Sequence, residues 1–449
     1  MKAICDKFGG SSFPDYMGFM QAAEYLSCQI EEGYRPIAVV SAPKGVSDML
    51  IDAAAGRLGM DELKDSLLDK YSGMVRDMFG SGREARNAKL EIEAEMGRLR
   101  EAIEKEGKDC FLSLGENHSS ILLAHAIRAL GHGSSHADGY TAGVTVTKRG
   151  AVVEDETDRR LRATLDRQLS KQDIIPVIGG YVGDCDGRYV IMGRNTTDVT
   201  GALISRAAGA EAYEIIKDVP GVYRVEPEFC ETEVIDRLSY DEAGQITWRG
   251  AKVVHPHAIT VARKAGIPIR VRNMYDAGFT TIHHDSSTTE EKPVAAISAR
   301  RFYMINVSDD AMNTPEGRGY LAMMSSVLSA HDIDILDAAM PANTISVVIP
   351  VSEHTRNGIE EELAASLAES GYSPVIEGRE VGGISITGEA MKGRPGTLSY
   401  LSGILGRECV SVVMGSQSDE AVSSPTINFY VEGGELDRTV KRLCEELFA

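Results

Sequence analysis

Six short stretches of this 449-residue chain combine glycine with charged residues or hydroxyls in ways that could hold charged ligands. The first is Lys7-Phe8-Gly9-Gly10-Ser11-Ser12. Paired glycines let main-chain N–H groups approach a bulky anion, and a lysine beside them adds a mobile positive charge. A solvated Gly-rich turn has the same spelling. Ser41-Ala42-Pro43-Lys44-Gly45-Val46-Ser47 leaves an apolar run and enters a helical one. Its hydroxyls and amides could hold a small polar substrate at a strand end, or Ser47 could simply cap the helix. Gly115-Glu116-Asn117-His118-Ser119-Ser120 breaks two apolar segments and offers Glu116 to an ammonium group, although acids also serve at helix starts. In Gly193-Arg194-Asn195-Thr196-Thr197-Asp198, the arginine could grip a carboxylate through two parallel hydrogen bonds. The hydroxyls and amides after it, at a helix start, favour phosphate or carboxylate. Lys217-Asp218-Val219-Pro220-Gly221-Val222-Tyr223 runs into a Pro-Gly turn. Gly250-Ala251-Lys252-Val253-Val254-His255-Pro256 adds a lysine and, with His257, two histidines whose ordinary role is packing or surface. Neither GxxxxGK[ST] nor GxGxxG is present, so neither a P-loop nor a dinucleotide fingerprint explains the glycines.

The elements that must position these groups alternate between apolar strand-like runs and helical stretches, the pattern of an α/β domain around a largely parallel sheet. Strands are predicted at Met1–Lys7, Arg35–Ser41, Ile174–Tyr181, Tyr189–Met192, Ala212–Lys217 and Pro268–Val271. Residues 60–107 are charged, with apolar residues at helical spacing (Leu63, Leu67, Tyr71, Met74, Val75, Met78), and predict a helical insertion. It is either a solvated helical pair or part of a substrate-site wall. The polar run His284–Pro293 is the expected linker. Beyond it, strand Phe302–Val307, helix Gly319–Ala330, strands Ile333–Ala338 and Ile345–Ile349 and helix Ile359–Ser370 are followed by the same order again. The second set is strand Gly383–Thr387, helix Thr397–Leu405, strands Val410–Met414 and Ile427–Val431 and helix Leu436–Phe448. This is a duplicated ferredoxin-like βαββαβ module, a form suited to ligand sensing.

Composition narrows the partners. Asp and Glu total 67 against 47 Lys and Arg, a net charge of −20. Such a chain is a poor candidate for nucleic acid or an anionic membrane surface. No apolar stretch approaches a membrane span, and the N-terminus lacks the basic–apolar pattern of a signal peptide. The seven cysteines (5, 28, 110, 185, 230, 409, 444) are scattered without a CxxC pair and read as reduced, mostly buried thiols of a cytoplasmic protein.

Taken in order, the six motifs resemble those of aspartate kinases, in the amino-acid kinase superfamily. The resemblance continues through Ile267–Asn273 and into the duplicated modules, where Gly388–Gly396 and Ser416-Gln417-Ser418 are similar to the second of paired ACT domains. It implies an amino-acid-kinase-like sandwich with a largely parallel central sheet over residues 1–285. ACT repeats follow at 294–374 and 380–449, with a first strand exchanged between them. It implies transfer of the γ-phosphoryl group of ATP to the β-carboxylate of L-aspartate, the first step towards lysine, threonine and methionine. ATP would bring Mg²⁺ with it, without a protein ligand set of its own. Lys7 and Asp198 would be catalytic; Ser41, Ala42, Ser47, Glu116, Arg194 and Thr197 would bind aspartate. Lys7, Gly9, Gly10, Lys217, Asp218, Tyr223 and Lys252 would face the nucleotide. Met312, Gly319, Tyr320 and Leu321 would meet a lysine or threonine effector, and the ACT repeats would assemble a homodimer or larger homo-oligomer.

The chain departs from the family pattern in places. Asn195 and Thr196 replace two glycines, and Glu226-Pro227-Glu228 stands where Asp-Pro-Arg is common. Two other readings follow: a kinase for a different acid, or a catalytically weak paralogue that senses amino acids as a regulatory subunit.

Overall fold

The computed structural model describes residues 2–169, 174–193, 195–251, 253–276, 278–314, 319–351, 358–417 and 426–448. The chain forms two compact units. One comprises Met1–Val222, Val234–Tyr240 and Val253–Asp285; the other comprises Tyr223–Glu233, Asp241–Lys252 and Ser286–Ala449. Two segments of the first two-thirds, carrying Tyr223 and the start of the Gly250–Pro256 motif, thus group with the tandem repeats.

In the first unit the strands are β1 (Lys2–Phe8), β2 (Tyr34–Val40), β3 (Gly133–Asp138), β4 (Ile174–Gly179), the hairpin β5 (Val182–Cys185) and β6 (Arg188–Ile191), β7 (Tyr213–Ile216), β8 (Arg237–Ser239), β9 (Ile269–Arg272) and β10 (Thr280–His283). Eight of them form one sheet in the order β3-β4-β2-β1-β7-β9-β10-β8. The six strands from β3 to β9 run parallel; β10 lies antiparallel to β9 and parallel to β8. Ile37–Val40 and Ile215-Ile216 are buried, as expected of strands covered on both faces.

The helices are α1 (Tyr16–Glu31), α2 (Val46–Ala54), α3 (Met60–Phe79), α4 (Arg83–Glu101), α5 (Lys108–Ala129), α6 (Gly139–Ala142), α7 (Glu154–Leu169), α8 (Thr197–Ala208), α9 (Tyr240–Trp248) and α10 (Pro256–Ala265). Helix α5 is buried along almost its whole length. The predicted insertion is the pair α3 and α4. Leu63, Leu67, Tyr71, Met74 and Val75 of α3 bury in the same core as Ala85, Ala88, Ile92, Met96 and Leu99 of α4.

The second unit holds β11 (Ala296–Ser308), β12 (Asp337–Ala339), β13 (Thr344–Pro350), β14 (Val375–Thr387), β15 (Val412–Gln417) and β16 (Thr426–Glu432), in one sheet ordered β12-β13-β11-β14-β16-β15. Helices α11 (Tyr320–Ala330), α12 (Ile359–Glu369), α13 (Thr397–Arg407) and α14 (Leu436–Phe448) complete it. The two 13-residue strands β11 and β14 pair antiparallel along their full length, from Ala296↔Thr387 to Ser308↔Val375. Only Phe302–Ser308 of β11 pairs with β13, and only Val381–Thr387 of β14 pairs with β16. Each repeat therefore takes half a strand from the other. The sequence shows the inner half of each strand; the outer halves, such as Val375–Glu380, carry charges that hide them. Likewise β12 is shorter than the predicted Ile333–Ala338.

The boundary between the units at Asp285 and Ser286 falls within the expected linker, and one expectation, on the cysteines, is corrected here. The run after His284 is tied down within the second unit: Glu242 Oε1 accepts from Ser286 Oγ (2.7 Å), Thr288 Oγ1 (3.4 Å) and the Glu389 N–H (2.7 Å). The cysteines are not all free thiols, because Cys230 and Cys444 form a disulfide across 214 residues of sequence. Helix α14 brings Cys444 against the turn that holds Cys230, a proximity that spacing along the chain cannot reveal. Of the free thiols, Cys5 and Cys110 are buried and Cys28 and Cys409 exposed.

Candidate functional site

The parallel register sets the site. Lys7 pairs with Val39 of β2 and Ile215 of β7, Phe8 with Val40 and Ile216, and Val40 with Gly179 of β4. Four strands thus end at one level, and the motif loops leave from there. Open α/β sheets bind ligands outside such carboxyl ends.

Glycines bring the loops into contact. A Cβ on Gly10 would lie 2.9 Å from the Ala42 carbonyl oxygen, and one on Gly115 would lie 2.7 Å from the Ala42 Cβ. A Cβ on Gly180 would come within 2.5 Å of Thr197 Cγ2. A Cβ on Gly179 would meet Glu116 less closely, at 3.2 Å, and Gly9 lies beside Lys7 Nζ. The Lys7, Ser41, Gly115 and Gly193 motifs are therefore brought together at this end of the sheet. The dipeptide Gly179-Gly180 escaped the sequence reading, although paired glycines after an apolar strand were the available signal.

Lys7 Nζ forms a 2.7 Å ion pair with Asp198 Oδ1, both side chains being nearly buried. Asp198 opens α8, where the macrodipole favours an acid. Its Oδ2 accepts the His255 N–H (3.0 Å), and its main-chain carbonyl accepts from the Tyr213 hydroxyl (2.9 Å). Burial alone would raise the Asp198 carboxyl; Lys7, Lys217 and the His255 N–H outweigh it and hold the group below its ordinary range. His255 acts as a cap: it precedes α10, and its Nδ1 accepts the His257 N–H at 3.2 Å. This matches the packing role that the sequence favoured for it.

Glu116 is 6% exposed. It lies in the middle of α5, whereas the sequence placed it at a break between apolar segments. Burial pushes its carboxyl up to about 8, against the pull of the Ala42 and Glu116 N–H groups and the charge of Lys7. Next to it along α5, His118 is pushed down to about 3 by burial and stays neutral; its Nδ1 meets the Tyr71 hydroxyl at 3.2 Å. Burial, with the field of Glu116 adding to it, raises the Tyr71 hydroxyl. Helix α3 of the insertion thus packs Tyr71 against His118 of α5.

The loop before α8 is self-supporting. Asn195 takes φ +63°, a left-handed conformation that asparagine tolerates better than most residues, and Thr196 Oγ1 donates to the Gly193 carbonyl at 2.7 Å. The two lost glycines are accommodated. Thr197 is buried in the first turn of α8.

Other candidates fall elsewhere. Ser41 is half-buried and Ala42 buried, but Ser47 is exposed in the first turn of α2, and Gly45 at φ +82° holds the capping position expected of Ser47. Lys217 is half-buried and Asp218 exposed just past β7. Tyr223 and the exposed Glu228 belong to the second unit. Arg194 and Lys252 lie outside the described residues. In the first repeat, Gly319 (φ +111°) caps α11, while Tyr320 is a core residue whose hydroxyl donates to Asp309. Met312 and Leu321 pack beside that core.

The model of the amino acid kinase family matches residues 4–273, more than half of the chain. The chain belongs to the amino acid kinase family. Among curated proteins, this amino acid kinase is 26% identical to Aspartokinase 1 of Bacillus subtilis over 459 residues, covering 98% of this chain and 100% of the relative. It is 23% identical to the Lysine-sensitive aspartokinase 3 of Escherichia coli over 463 residues, with 99% of each covered. The fold matches E. coli aspartokinase III in complex with aspartate and ADP at TM-score 0.79 and 22% identity, with full coverage of both chains. The same enzyme with lysine and aspartate gives 0.80 at 22% identity, again with full coverage of both. Clostridium acetobutylicum aspartate kinase gives 0.78 at 21% identity, covering 99% of this chain and 100% of that one. Among the described residues no helix is long and apolar enough to cross a membrane, and no group of three or more His, Cys, Asp or Glu could hold a metal ion.

Proposed function

We propose that this amino acid kinase transfers the γ-phosphoryl group of ATP to the β-carboxylate of L-aspartate, giving ADP and 4-phospho-L-aspartate. The observation that carries the reading is the meeting of the Lys7–Asp198 ion pair and the buried Glu116 at aligned strand ends, within the family fold. A β-carboxylate oxygen attacks the γ-phosphorus as the bond to the ADP oxygen breaks. A free carboxyl titrates near 4, so the nucleophile is already ionised and needs no general base. The obstacle is repulsion between two anions, and catalysis rests on positioning and positive charge.

Lys7 stabilises charge on the transferred group, and the Gly9 and Gly10 amides line the phosphates. Asp198 holds the Lys7 ammonium in place. Glu116 receives the substrate ammonium, Arg194 grips its α-carboxylate, and Ser41, Ala42, Ser47 and Thr197 complete the pocket. Lys217, Asp218, Tyr223 and Lys252 serve the nucleotide. ATP itself would hold Mg²⁺, which would offset part of the phosphate charge beside Lys7. The tandem repeats receive an amino-acid effector, lysine or threonine, at Met312 and Gly319–Leu321, and join copies of the chain into a homo-oligomer. The product enters the synthesis of lysine, threonine and methionine.

The test is an assay with ATP, Mg²⁺ and L-aspartate in which hydroxylamine traps the acyl phosphate. Hydroxamate from aspartate supports the proposal. Hydroxamate from glutamate alone would transfer the activity to another acid, and none at millimolar aspartate would favour a regulatory subunit.

A further inference from the structure

Strand β10 lies between β9 and the edge strand β8 at one end of the eight-stranded sheet. The register sets Thr281 opposite Arg270 of β9 on one side and opposite Arg237 of β8 on the other. Residues opposite one another on neighbouring strands share a face, and the strands lie about 4.8 Å apart. Two arginines therefore flank one hydroxyl. Phe279 and His283, two residues before and after Thr281, follow on the same face. With Pro268 and Asp285 they line a cavity of about 330 Å³.

Arg270 is held in place by its neighbours. Its Nη1 donates to the buried Glu214 Oε1 at 3.1 Å, and its guanidinium lies 5.5 Å from the centre of the Phe279 ring. A guanidinium carries five donors, so the pair with Glu214 leaves others for a ligand. Arg237 is exposed, and neither its side chain nor the Thr281 hydroxyl has a hydrogen-bond or ion-pair partner among the described residues. The two arginines outnumber Asp285, the one acid in the lining. Donors on three sides suit a group whose oxygens point in three directions, which a phosphate has and a carboxylate lacks. Phe279 and Pro268 offer apolar surface to an attached organic part, and the volume is at the small end for ligand pockets. We propose that this face of the sheet binds a small phosphate monoester. None of the residues assigned to aspartate, the nucleotide or an effector lines it.

The test is calorimetric titration of the full chain with phenyl phosphate, which should saturate one site per chain. Inorganic phosphate and benzoate each lack half of the chemistry and should bind more weakly. Arg237→Gln should weaken phenyl phosphate about tenfold, the scale for one hydrogen bond to a charged group. Thr281→Val should weaken it about threefold, and Lys7→Met should leave it unchanged. No saturation at millimolar phenyl phosphate would overturn the proposal, as would equal affinity for benzoate or inorganic phosphate. An affinity unchanged in Arg237→Gln would also overturn it, and a loss confined to Lys7→Met would place the probe at the strand ends instead. If Arg237→Gln does not fold, Thr281→Val decides. The titration needs no turnover, so a chain that makes no aspartyl phosphate would sink the proposed function and leave this site to be judged by binding alone.

Discussion

Replacing Glu116 with glutamine should separate binding from stability, because one carboxyl serves both in opposite directions. Burial lifts this group to about 8. At pH 7 about one molecule in ten therefore carries the carboxylate that an ammonium group needs, rising to about half at pH 8. With ATP saturating, KM for aspartate should fall about fivefold between pH 7 and 8 and level off above 9. Glu116→Gln should abolish that slope and leave a high, flat KM. Stability runs the other way. The folded state keeps a proton here that the unfolded chain releases near 4.5, so stability declines as pH rises from about 4.5 to 8. By pH 8 the carboxyl costs up to about 4 kcal/mol, which glutamine avoids. Melting curves should place Glu116→Gln close to the unaltered chain at pH 5 and several degrees above it at pH 8.5. A KM for aspartate that is flat from pH 6.5 to 8.5, joined to a glutamine variant no more stable at high pH, would refute the reasoning.

Three further outcomes follow from the geometry. Lys7→Met should reduce kcat by about 10²–10³, the scale for losing one preorganised positive donor, and should leave Asp198 buried without its ion-pair partner, which a lowered melting temperature at pH 7 would register. Gly180→Ala should force Thr197 and the start of α8 aside at a cost of about 1–3 kcal/mol, measured by denaturant unfolding, with kcat reduced alongside. Peptide mapping without reductant should recover Cys230 joined to Cys444, and reduction should destabilise the chain by up to about 5 kcal/mol given a loop of 214 residues.

What could be read in advance followed local chemistry. Lys7 and Gly9-Gly10 stood out because a lysine beside paired glycines after an apolar strand suits an anion, although a solvated turn is spelled the same way, and Asp198 stood out only through the resemblance of its motif to the family's. Glu116 was visible as an acid but not as a mid-helix group, since the polar residues around it looked like a break and are instead buried within α5. Strand β3, spelled Gly-Ser-Ser-His-Ala-Asp, has no strand signature and is held by pairing with β4. The Cys230–Cys444 bond depends on segments far apart along the chain, which no local pattern can bring together.

The halved strands of the tandem repeats bear on how the protein folds as it is made. Since Ala296–Arg301 pairs with Gly382–Thr387, the first repeat emerging from the ribosome lacks the partner for half of its longest strand. It waits with an open edge until the second repeat is synthesised, and exposed edges are where chains associate wrongly. Neither repeat is then an independent folding unit. A chain cut between them should aggregate, whereas the two together should fold in a single cooperative step.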